Sequence, residues 1–146
     1  MRTDYLDVVQ FHLSPSRAVL EQPDSIAELH ALQEQGKIRL RAVADTARAL
    51  EKVLELDPTR VDSARQLARH YRVLDRFVKL AELYQAQIDK SSDDKVRLES
   101  ALSLGRVLGS ELSAPQRAIE AYELALTLAP GHKAALDALA TLRATA

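Results

Sequence analysis

The segment LEKVLELDPTRVDSA, residues 50–64, returns 72 residues later as YELALTLAPGHKAAL, residues 122–136. Leu50, Val53, Leu54, Leu56, Pro58 and Ala64 fall on Tyr122, Ala125, Leu126, Leu128, Pro130 and Leu136. Tyr84 lies between the copies, 34 residues after Leu50 and 38 before Tyr122. A period of this size marks stacked supersecondary units, because one such unit cannot bury its apolar face alone and must lean on the next. The repeat therefore restricts the chain to a stack of similar hairpins.

Composition decides what the hairpins are made of. Alanine, leucine, arginine and glutamate dominate, all strong helix formers, and tryptophan and asparagine are absent. The 146 residues are 47% hydrophobic and 28% charged, with a net charge of −1, which fits one ordinary globular chain and speaks against a broad footprint for nucleic acid or anionic membrane. With no cysteine, neither a disulfide framework nor a thiolate zinc site can form. No apolar run approaches the roughly 20 residues of a membrane helix, and Asp4 and Asp7 spoil a signal-peptide layout. The cytoplasm is the expected compartment, a periplasmic location being equally compatible where a signal has been removed.

Residues 1–23 read differently from the rest. Val8, Val9, Phe11 and Leu13 suggest a partly extended apolar piece, interrupted by Pro15 and Pro23, that caps the core. From residue 24 onward seven helices are expected. Ser25-Ile-Ala-Glu28 has capping-box spacing and opens a helix that Gly36 stops. A second, Ile38 to Leu56, carries Val43, Ala47, Leu50 and Leu54 at helical spacing and ends at Pro58. Helices follow over 60–73, with Val61, Ala64, Leu67, Ala68 and Tyr71 inward, and over 76–88, 94–108, 115–128 and 132–143. Ser91-Ser-Asp-Asp94 offers several N-caps, and Ser113-Ala-Pro-Gln116 is a second capping-box pattern.

Over residues 25–146 the chain resembles the tetratricopeptide-repeat (TPR) family, whose unit is a 34-residue helix–turn–helix. Leu104-Gly105, Ala118, Tyr122, Ala125 and Pro130 match the family's small-residue pattern in the last full unit, and Leu67-Ala68, Tyr71 and Tyr84 in the middle one. Leu80, Gln87 and Ser92 depart from it, as does the region around Gly36. The four extra residues of the last unit fall in a longer first helix and its loop. The resemblance implies an all-α, right-handed superhelix of about three helix pairs, with a closing helix at Leu139-Ala140. Gly105, Ala118 and Ala125 let helix axes approach, and Tyr84 and Tyr122 fill the remaining gaps.

No constellation announces catalysis. His12, His30, His70 and His132 are isolated, the glycines never cluster as a phosphate loop requires, and no serine sits in a nucleophile elbow, so neither an enzyme nor a cofactor or metal is expected. The conspicuous feature is basic. Arg65, Arg69, Arg72 and Arg76 step by four, three and four along one helix and its exit. The resemblance places Arg65, Arg69, Arg72 and Arg106 on the concave surface, with Lys37 and Arg41 as weaker extensions. Guanidinium groups suit carboxylates through paired, charge-assisted hydrogen bonds, so an acidic protein or peptide segment is the expected partner. The same stripe reads equally as a solvated face that Asp62, Asp75 and Glu99 neutralise. The family's asparagine-based carboxylate clamp has no counterpart in a chain without asparagine. Leu136, Leu139 and Leu142 on the closing helix suggest a competing role, an apolar end face for homo-oligomerisation or stacking within a larger assembly.

Overall fold

The computed structural model describes residues 23–145, with side chains from residue 26. The expectations for the segment before Pro23 lie outside the described residues. Six helices follow: α1, Pro23–Leu56; α2, Val61–Val73; α3, Phe77–Lys90; α4, Asp94–Ser110; α5, Pro115–Leu128; and α6, Lys133–Thr145. No strand occurs among the described residues. The protein is all-α.

The largest departure from expectation is α1. Gly36 does not stop a helix; the chain runs through it for 34 residues, so the first expected pair is one continuous helix. An internal glycine costs a helix about 1 kcal/mol relative to alanine, far less than proline does. Good helix formers surround it, and Glu34 and Lys37 bridge the site with a 2.8 Å ion pair. The helix also begins at Pro23, which places Ser25 inside rather than at the cap. Proline suits a first helical turn because its missing N–H would be unpaired there anyway.

Two compact units divide within α1, Met1–Asp45 and Thr46–Ala146. In the first, Ile26, Leu32, Ile38 and Leu40 are exposed. The second holds the core. Its helices α2 to α6 each pack on the next in sequence, as stacked hairpins with short turns do. Leu67, Leu80, Ile88, Leu104, Leu108 and Leu139 are buried there, and Ala47, Leu50 and Leu54 of α1 complete the first layer.

Local chemistry explains the joints. Pro58 follows the end of α1, and Asp57 closes the turn by accepting from the Thr59 hydroxyl at 2.6 Å and amide at 3.1 Å. Both hydrogen bonds pull the Asp57 carboxyl below its ordinary pKa. After α2 the Arg76 N–H reaches the Tyr71 carbonyl (2.9 Å) and Asp75 N–H the Arg72 carbonyl (3.2 Å), a Schellman closure with Asp75 in the left-handed region at φ 53°. Asp93 caps α4 by accepting from the Lys95 N–H at 2.9 Å. The expected Ser113 capping box does not form. Ser113 takes φ 48° so that the Ala114 N–H can reach back to the Leu108 carbonyl, and Ala114 becomes the cap. A capping serine needs extended backbone, which that reach-back forbids.

Candidate functional site

Helices α2 and α4 face one another across a cleft of about 240 Å³ whose floor comes from α3. Three-residue connections, 74–76 and 91–93, join α3 to α2 and to α4, and connections this short belong to successive antiparallel helix hairpins. On α2 the inward stripe Ala64, Leu67, Ala68 and Tyr71 is buried, which rotates Arg65, Arg69 and Arg72 to the lip. From α4 come Val96, Glu99, Ser100 and Ser103, and from α3 Leu83, Tyr84 and Gln87.

The α4 counterpart of the α2 stripe is Ala101, Leu104, Gly105 and Leu108, each 37 places on and each buried. On that register Arg106 is the counterpart of Arg69. The 17-residue α4 exceeds the 13-residue α2 by one N-terminal turn, where the extra residues of the last unit lie.

The four arginines differ in their engagement. Arg65 donates to Glu99 at 2.9 Å, across from one helix to the other. Both side chains are about half exposed, and such surface pairs contribute about 0–1 kcal/mol, so an incoming carboxylate can displace Glu99. Arg72 donates to the Tyr84 hydroxyl at 3.4 Å. Arg69 and Arg106 are exposed and have no ion-pair partner among the described residues. Asp62 and Asp75, expected as possible neutralisers, pair with none of the four; Glu99 alone does. Arg106 does not line this cleft. It lies near Tyr122, whose phenol burial pushes up in pKa while the Arg106 charge opposes that rise.

Ser100 escaped the sequence reading, and Gln87 entered it only as a departure from the small-residue pattern. Both are buried, and Gln87 donates to the Pro58 carbonyl at 3.3 Å, tying α3 to the turn that begins α2. A polar residue on an otherwise apolar inner stripe was their only signal.

A second network fixes the start of the stack. Tyr71 donates its hydroxyl to Glu51 at 2.5 Å, and Lys79 reaches the same carboxylate at 3.2 Å. The Tyr71 bond holds the Glu51 carboxyl below its usual pKa, with Lys79 adding to the effect against burial. Burial, then Glu51, push the Tyr71 phenol upward.

The three leucines expected at an end face are not equivalent. Leu139 is 4% exposed and belongs to the core, Leu142 packs against that core, and Leu136 alone is open at 47%. Leu136 lines a shallow cleft of about 390 Å³ between α5 and α6, together with Leu126, Thr127, Ala140 and the Glu123–Arg143 ion pair at 2.6 Å. Among the described residues no group of three or more acidic or histidine side chains is placed to hold a metal ion, and no helix is long and apolar enough to cross a membrane. No family model matches the sequence, and no curated protein matches it.

Proposed function

We propose that the chain is a non-enzymatic, TPR-like interaction scaffold that holds an acidic protein segment in the cleft between α2 and α4. The observation that carries this reading is Arg69, an exposed guanidinium without an ionic partner at the lip of a cleft that also holds Arg65 and Arg72. Tyr84 on the floor and Ser103 on the α4 wall supply hydrogen-bonding groups, so a bound segment meets charge at the rim and neutral donors within the cleft. The Arg65–Glu99 pair closes one side of the cleft until a stronger carboxylate replaces it. Shape and charge complementarity are sufficient for such a task, and it needs no cofactor or metal.

The test is fluorescence anisotropy with a glutamate-rich peptide at low and high salt. Binding weakens as ionic strength rises, and Arg69→Glu weakens it at least tenfold, about the effect of losing one charge-assisted hydrogen bond. Binding that ignores both salt and Arg69→Glu overturns the reading.

A second reading, self-association or stacking through the end of the helix array, is favoured by one observation. Leu136 is exposed beside Leu126 in the cleft between α5 and α6.

A further inference from the structure

The α5–α6 end is an open copy of a surface that the chain covers elsewhere. Its cleft residues Glu123, Leu126 and Thr127 fall on Glu51, Leu54 and Glu55 of α1 when the sequence is shifted by 72. Leu136, Leu139, Ala140 and Arg143 fall likewise on Ala64, Leu67, Ala68 and Tyr71 of α2. The structure keeps the equivalence: Glu51 is bonded to Tyr71 and Glu123 to Arg143, each pair 20 residues apart.

What differs is the cover. Ala64, Ala68 and Tyr71 are buried on α2, which packs on α3, and their counterparts Ala101, Gly105 and Leu108 are buried on α4, which packs on α5. At the same three places α6 leaves Leu136, Ala140 and Arg143 exposed, and no helix follows it among the described residues. The chain thus shows twice what covers such a face. Lys79 of α3 reaches Glu51 at 3.2 Å, and the Tyr122 ring of α5 lies against Gly105. The two covering helices share a pattern: Leu80 and Ala118 are 0% exposed, a tyrosine follows at 84 or 122, and Gln87 or Ala125 is buried beyond it. The spacing i, i+4, i+7 sets all three on one helix face. Among the described residues no helix of a second copy is free to offer that face, because α2 to α6 bury theirs in the core and α1 has no aromatic residue.

We infer that the α5–α6 face docks an amphipathic helix of a partner protein, seated as α3 is seated on Glu51 and the buried stripe of α2. That helix carries an aromatic residue with apolar ones four before and three after it, and a lysine or arginine placed to reach Glu123. The Glu123–Arg143 pair is exposed and weak, so a second cation can share the carboxylate as Lys79 shares Glu51 with Tyr71. The inference gives the end of the array a partner in place of a second copy, and it uses no residue of the arginine cleft.

The probe is the α3 sequence itself, a labelled peptide of residues 75–92, with a lactam bridge from Gln85→Lys to Asp89 because so short a helix does not persist alone. Both bridged positions are exposed in the protein. Added to the whole chain, the peptide binds by anisotropy where a scrambled one does not. Leu136→Asp weakens binding about tenfold or more, since a carboxylate is then buried under the helix, while Arg69→Glu leaves it unchanged. Lys79→Glu in the peptide weakens it about threefold, the size of one exposed ion pair. No binding, or binding that Leu136→Asp leaves alone, overturns the inference. Binding lost in Arg69→Glu also overturns it and puts the peptide in the arginine cleft. A dimer that excludes the peptide and that Leu136→Asp dissolves makes a second copy the occupant and overturns the partner. Binding of the glutamate-rich peptide is independent of each outcome, so the two readings fail separately.

Discussion

At Gly105 the backbone of α4 comes so close to α5 that a methyl group built there lies 2.8 Å from the Tyr122 ring. The ring fills the space between helices and is itself 9% exposed, so it has little room to withdraw. Gly109, one turn on, is different: an added methyl meets only Ala118 at 3.6 Å and Leu142 at 3.7 Å, which is ordinary contact. Both residues are helical, and alanine gains about 0.5–1 kcal/mol over glycine in a helix where space permits. The two substitutions therefore separate packing from propensity. Gly105→Ala loses about 1–3 kcal/mol through overpacking, whereas Gly109→Ala gains up to about 1 kcal/mol. Urea titration of the two variants against the parent measures both, and equal shifts of the same sign would refute the Gly105 argument. The roles of Gly105 as a point of close helix approach and of Tyr122 as a gap-filler were legible in the sequence, because both are matters of size. Their direct opposition, and the distance that makes it critical, were not.

Among the elements, α1 is the one joined to the stack by a buried-edge polar network. Glu51 accepts from Tyr71 of α2 and pairs with Lys79 of α3, so one carboxylate holds three helices together. Its folded pKa is depressed. Its contribution is therefore fully present above the unfolded value of about 4.3 and is lost as pH falls through the lower folded value. Glu51→Gln keeps an acceptor for Tyr71 but loses the charge; it lowers stability at neutral pH by about 1 kcal/mol and flattens the fall below pH 5. Parallel acid-unfolding curves check this, and identical acid limbs would refute it. None of this network was legible beforehand, because its members are 20 and 28 residues apart and nothing in their spacing pairs them. The helices themselves were far more readable. Pro58 and Pro115, whose effect is steric and local, marked boundaries that the structure keeps. Gly36 and Ser113 misled, because their effect depends on what the rest of the chain requires of them.

For the whole molecule, the choice between a wet groove and a self-associating end turns on which leucines are free. Leu139 is part of the core, so changing it to aspartate would unfold the α5–α6 end and say nothing about association. Leu136 is 47% exposed, and Leu136→Asp changes stability by no more than about 0.5 kcal/mol while placing a charge in the cleft beside Leu126. Apolar association survives salt, whereas a groove lined by Arg65, Arg69 and Arg72 works through charge and is screened at a Debye length of about 3 Å in 1 M salt. Light scattering over a concentration series at low and high salt separates the two. If the arginine groove is the working surface, the parent stays monomeric throughout and Leu136→Asp has the same mass. A dimer that persists in high salt and falls apart in Leu136→Asp would move the function to the α5–α6 end. Arg69 and Arg106 would then be an ordinary solvated face.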